Sequence, residues 1–170
     1  ALTALDLTKV DTVLGIAAGG TTPWVIGALN IAKQIGANTA FITCSSEIPP
    51  CDHLIHLDSG AEPLTGSTRM KAATATKLTL NIITTALFTN LGKVYGNLMV
   101  DLKASNSKLQ DRAIRIVSEV CELNREDASE LLQRSDGDVK VAIVMGTSQV
   151  DAKTAQSLLD GVGGKLRDAL

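Results

Sequence analysis

From Val10 the chain runs almost wholly apolar to Ala18 (VDTVLGIAA) and then breaks at Gly19-Gly20-Thr21-Thr22-Pro23. A near-continuous apolar run closed by a glycine pair and a proline is the pattern of a parallel strand, buried on both faces, feeding a helix that opens at Pro23. Trp24 to Ile35 then carries apolar residues at helical spacing, Gly36 ends it, and Asn38 to Thr43 (NTAFIT) reads as the next strand. This is a strand, helix, strand unit, for which a right-handed crossover is expected. After a polar, proline-containing loop from Cys44 to Asp52, His53 to Leu57 alternates enough for a short strand.

The second half of the chain is helical in its patterning. Met70 to Leu91 has apolar residues on more than one face, which predicts a long helix buried nearly all round, in part against a second subunit. Gly96, Asn97 and Asn106 break the connector that follows, and Ser107 to Cys121 reads as a fresh helix with Ala113, Ile114, Val117 and Val120 on one face. Asn124, Asp138 and Asp151 each precede a short apolar-periodic segment, which predicts three short capped helices in a compact bundle.

Composition narrows the function classes. Of the 170 residues 45% are hydrophobic and 20% charged, with a net charge of -2, a globular balance that points away from disorder and from a nucleic-acid-binding surface. Aromatic residues make up 2%, with Trp24 the single tryptophan, so stacking platforms for single strands are missing too. Cys44, Cys51 and Cys121 have no metal-like spacing and cannot all pair, which favours a reduced, cytoplasmic setting. No signal-peptide pattern and no run of about 18 uncharged apolar residues occurs in the sequence, so neither export nor a membrane span is expected.

Chemistry concentrates in Gly60 to Lys77, GAEPLTGSTRMKAATATK. Leu64-Thr65-Gly66 reads as a turn, and Ser67 or Thr68 is placed to cap the helix that follows. Arg69 and Lys71 then fall in its first turn, where the macrodipole disfavours cations unless an anion is bound. An anion site is one reading; an ordinary capped helix with solvated basic residues is the other. A second candidate is the strand-to-helix loop, where Gly19 and Gly20 permit close backbone approach and Thr21 and Thr22 add hydroxyls at a helix start. It lacks the lysine of a P-loop and the G-x-G-x-x-G spacing, so no nucleotide is implied, and a glycine pair can equally serve a tight turn. His53 and His56, three apart on a strand, point to opposite faces and argue against a shared metal. Glu47, Asp52 and Asp58 read as solvated loop charges.

The Gly60 to Lys77 stretch resembles, almost position for position, the signature shared by bacterial N-acetylmuramic acid 6-phosphate etherases and the animal glucokinase regulatory protein: Gly-Ala-Glu, a spacer, Thr-Gly-Ser-Thr-Arg, an apolar residue, Lys, a run of small residues and Lys. The LGKVYGNLMVDLKASNSKL segment, Leu91 to Leu109, looks like the etherase branch. From about Val10 to Leu170 the chain reads like the C-terminal part of an etherase. The resemblance implies an α/β fold: the second half of a sugar isomerase (SIS) type three-layer parallel-sheet domain over 1–105, then a small all-helical, ubiquitin-associated-like bundle over 106–170. In that family the loop at Gly19 usually reads Ala-Ala-Ser-Gly-Arg-Thr-Pro, so Gly19 stands for a serine and Thr21 for an arginine, while Thr22 and Pro23 match.

The activity implied is a carbon-oxygen lyase of cell-wall amino sugar recycling, which releases lactate from N-acetylmuramic acid 6-phosphate and leaves N-acetylglucosamine 6-phosphate. Substrate contacts are expected from Gly19, Gly20, Thr21, Thr22, Glu62, Ser67, Thr68, Arg69 and Lys71. Glu62 is expected to take hydrogen bonds from the sugar or to hold Arg69 or Lys71. The two catalytic glutamates of the family have no counterpart here, which implies a missing N-terminal half, no activity of this chain alone, and pairing with that half or a second subunit as a homo-oligomer. No cofactor, metal, nucleic acid or membrane partner is expected. The alternative is a non-catalytic sugar-phosphate sensor of the glucokinase regulatory protein type.

Overall fold

A computed structural model describes residues 4–102 and 104–170, which leaves Lys103, within the Leu91 to Leu109 segment, outside the described residues. The protein is mixed α/β, with five strands and seven helices among the described residues: β1 (Thr12–Ile16), α1 (Pro23–Ile35), β2 (Asn38–Thr43), β3 (His53–His56), α2 (Lys71–Asn90), β4 (Val94–Tyr95), β5 (Leu98–Met99), α3 (Ser107–Cys121), α4 (Arg125–Arg134), α5 (Val139–Ser148), α6 (Ala152–Gly161) and α7 (Leu166–Ala169). They form two compact units, divided between Ile83 and Thr84 inside α2. None of the described helices is long and apolar enough to cross a membrane.

The first unit holds a three-stranded parallel sheet in the order β1-β2-β3, with Gly15 opposite Phe41 and Phe41 opposite Leu54. Pro23 opens α1, and Gly36, at φ 88°, closes it by donating its N–H to Lys33 while Ala37 donates to Ala32. One face of the sheet packs on α1: Val25, Leu29, Ala17 and Phe41 form a buried cluster. A Cβ at Gly15 would fall 2.8 Å from Val25, so the absent side chain lets strand and helix close. Only β2 is enclosed. β1 departs from the expectation of a strand buried on both faces, since Ile16 is 41% exposed and Val13 and Leu14 are half-buried. The α1 layer covers one side of β1, and Ile16 projects to the other.

Asp52 is an exposed loop charge, as expected, but it also has a structural partner. Its carboxylate accepts from the Thr39 N–H at 2.9 Å and the Thr39 hydroxyl at 2.7 Å, and its own N–H returns to the Thr39 carbonyl. Those bonds hold the carboxyl below its usual range and fasten the Cys44 to Asp52 loop along β2.

The long helix also differs from expectation. Of its twenty residues only Ala72 is buried, and Leu78, Ile82, Leu87 and Phe88 are each 44–69% exposed. The helical spacing is realised, but apolar content on several faces gives a helix something to bury without providing the surface to bury it against.

The second unit is built around α5, six of whose ten residues are buried. Val117, Leu132, Ala155 and Leu166, from α3, α4, α6 and α7, join it in one core with Val100 beside the β4-β5 hairpin. The predicted caps are present: Asn124 accepts from Glu126 and Asp127, Asp138 from Val141, and Asp151 from Thr154. Lys140 donates to the Gly164 carbonyl at 3.2 Å and pairs with Asp101, which also takes Lys93 at 2.6 Å, so the chain after the hairpin, α5 and the α6-α7 turn share one polar clasp.

Candidate functional site

The start of α2 is organised by Glu62. Its two carboxylate oxygens accept the Lys71 N–H and the Ala72 N–H, each at 3.0 Å. A carboxylate nine residues upstream thus takes the capping position expected of Ser67 or Thr68, and it supplies the negative charge that makes two nearby cations tolerable at a helix N-terminus. The Ala72 bond first, then that of Lys71, holds the Glu62 carboxyl below its ordinary range, with the Lys71 charge adding to them. Lys71 Nζ is itself occupied, donating to the Ala61 carbonyl at 3.0 Å. Gly60, Ala61 and Glu62 therefore wrap the helix start.

That arrangement leaves other groups of the stretch unspent. Ser67 is fixed through its backbone, donating to the Leu64 carbonyl at 3.0 Å across the expected turn, in which Gly66 sits at φ 80°. Among the described residues no capping bond goes to the hydroxyl of Ser67 or Thr68, and Arg69 is exposed.

The strand-to-helix loop is set by close packing. Gly20 lies at φ 78°, its N–H donates to the Ala17 carbonyl, and a Cβ there would meet the Glu47 carbonyl oxygen at 2.2 Å. Nothing lies within 4 Å of a Cβ at Gly19, so this position is open. Thr22 precedes α1 as its N-cap residue but makes no side-chain capping bond, so the exposed hydroxyls of Thr21 and Thr22 are not used to hold the helix.

A cavity of about 440 Å³ lies between the end of β1 and part of the Gly60 to Lys77 stretch. Ile16 and Ala18, at the carboxyl end of β1, line it with Thr68 and with Ala73, Lys77 and Leu80 of α2. Since Ala18 directly precedes Gly19, the glycine loop begins at the rim, at the sheet edge where open α/β folds bind ligands. Thr68 alone of the sequence-selected residues lines the cavity, and Glu62 and Lys71 meet at the helix start instead. Lys77 was noted only as the last residue of the signature. Its spacing of four from Ala73, which puts both on one stripe of the helix, was the available signal.

Other groups are occupied structurally. His53 and His56 are exposed on β3, opposite Ala40 and Thr43, and among the described residues no cluster of three His, Cys, Asp or Glu could hold a metal. Burial pushes the Cys121 thiol up, which makes it a poor nucleophile.

The chain is 50% identical over its whole length to an N-acetylmuramic acid 6-phosphate etherase of Crocosphaera subtropica, covering 57% of that protein. It is 52% identical over 96% of its length to one from Synechocystis, covering 55% of it, and 48% identical over 99% to etherase 1 of Bacillus licheniformis, covering 57%. The chain thus spans about half the length of the curated relatives it matches. Residues 96–140 match the family model of the C-terminal lid domain of glucokinase regulatory protein.

Proposed function

Since the chain is a relative, along its whole length, of the N-acetylmuramic acid 6-phosphate etherases, we propose that it forms the sugar-phosphate-binding part of such a lyase. In this reading residues 1–105 are the second half of a SIS-type layered domain and 106–170 a ubiquitin-associated-like helical subdomain. The identity of 50–52% over 96–100% of the chain carries the proposal.

The substrate is an amino sugar 6-phosphate. Its phosphate and ring hydroxyls are met by the hydroxyls of Thr21, Thr22, Ser67 and Thr68, the open backbone at Gly19 and Gly20, and the Arg69 guanidinium. Lys71 and Glu62 form the frame that keeps the helix start in place, since their polar groups already bond Ala61, Lys71 and Ala72. The reaction removes the proton on C2, beside the sugar carbonyl, and expels lactate from C3 with a proton delivered to its oxygen. Water then adds across the double bond, so the net change is hydrolysis of the ether. Those two proton transfers suit a pair of carboxyls of different pKa, and among the described residues no carboxyl lines the cavity. A further polypeptide segment or second subunit supplies them, and covers the exposed apolar side chains of α2. The working setting is a cytoplasmic homo-oligomer of cell-wall amino sugar recycling.

The match of residues 96–140 to the regulatory-protein lid favours one second reading, a sugar-phosphate sensor without catalysis. Lactate release and calorimetric binding, measured on the complete gene product carrying these residues, decide between them. The etherase reading expects N-acetylmuramic acid 6-phosphate to bind and release lactate. Binding without lactate moves the protein to the sensor class, and no binding leaves Gly19, Gly20, Ser67 and Thr68 as turn residues.

A further inference from the structure

We propose that Lys77 is the residue that recognises the lactyl carboxylate, so that the cavity beside it tells the etherase substrate from its product; this rests on the etherase reading above. The cavity has two chemical features. Its wall is mostly apolar, with Ile16, Ala18, Ala73 and Leu80 standing beside the polar Thr68, Thr76 and Asn81, and Lys77 is the charged residue of that lining. At about 440 Å³ it lies within the size of small-ligand sites and holds a three-carbon arm with room to spare. A fragment that bears one methyl group and one carboxylate complements such a wall, and the lactyl ether of N-acetylmuramic acid 6-phosphate is that fragment.

Position separates this site from one for phosphate. Phosphates are held at helix starts by free backbone N–H groups, and here those of Lys71 and Ala72 are consumed by Glu62. Lys77 lies nearly two turns further along α2, past the reach of the helix-end field. Among the described residues no hydrogen bond or ion pair engages the Lys77 ammonium, whereas that of Lys71 is held by Ala61 and that of Lys93 by Asp101. An exposed lysine at the side of an apolar cavity can take a carboxylate without first breaking a bond. The product, N-acetylglucosamine 6-phosphate, has a hydroxyl in place of the lactyl arm, so the contact is made by substrate alone.

The test compares Lys77→Met and Lys77→Arg in the complete gene product. Methionine keeps helix propensity and bulk while removing the charge, and circular dichroism checks that the fold is retained. Lys77→Met is expected to raise KM for lactate release about tenfold or more, with the inhibition constant of N-acetylglucosamine 6-phosphate within about twofold of wild type; Lys77→Arg recovers most of the loss. An equal rise in the product's inhibition constant would assign Lys77 to the sugar or phosphate and overturn the proposal. An unchanged KM would make it a solvated surface lysine. If the wild type binds both sugar phosphates without releasing lactate, the etherase reading fails, while Lys77 is still judged by the ratio of the two dissociation constants in Lys77→Met. A wild type that binds neither overturns both.

Discussion

The two units treat their apolar residues in opposite ways. In the second unit five helices close on one another, and α5 is enclosed so fully that Val139, Ala142, Ile143 and Val144 are at most 1% exposed. In the first unit the buried cluster on α1 consists of four residues, and β1, β3 and most of α2 leave apolar side chains in the open. A sheet needs layers on both faces, whereas a small bundle can satisfy its own apolar stripes. The lesson is that helical and strand patterning have formed in both units, but burial is complete only where the covering elements come from nearby sequence.

The sharpest way to break this comparison is to remove one buried group and one exposed group of the same kind. Ile143→Ala should destabilise the second unit by about 2–5 kcal/mol, through lost burial and the cavity left behind. Ile82→Ser, at a position 69% exposed, should leave urea-induced unfolding nearly unchanged and weaken self-association in sedimentation measurements. Equal losses from the two changes would show that α2 is covered after all.

Gly20→Ala probes a place where the first unit is tightly packed beside the candidate loop. The added Cβ meets the Glu47 carbonyl, and the residue would have to hold a left-handed backbone, so a loss of about 2 kcal/mol is expected in chemical denaturation. Gly19→Ala, facing open space, should cost far less.

The smallest effect concerns pH. The folded state holds the Glu62 carboxyl below its unfolded value, because the ionised form accepts from Ala72 and Lys71. Its stabilisation is therefore fully present from neutral pH down to the ordinary glutamate range and is lost as the pH falls through the lower, folded value. Asp101, lowered by Lys93 and then by Lys140, gives the second unit a dependence of the same sign. Glu62→Gln should flatten part of the acid limb of the thermal midpoint and leave the part due to Asp101. A Glu62→Gln profile that merely shifts down by a constant at every pH would show that the carboxylate's charge plays no role at the helix start.

Much of the secondary structure was legible because it is encoded locally. Pro23 and Gly36 bracket α1, the bounds of β2 and α3 follow their sequence patterns, and Asn124, Asp138 and Asp151 cap helices within three residues of themselves. The chemistry of Gly60 to Lys77 and the likeness to the etherases were also present in the sequence. The β4-β5 hairpin was visible only as the breakers Gly96 and Asn97, since two-residue strands are too short to show a period.

Tertiary structure decided who uses which group. Glu62 caps a helix nine residues away, Asp52 clasps Thr39 thirteen residues back, and Lys77 shares a cavity with Ile16 some sixty residues before it. Each depends on a loop returning to a distant element, and residue type alone does not reveal that return. The exposure of α2 has the same origin: periodicity tells which side chains can be buried, while only the packed chain tells whether anything lies over them.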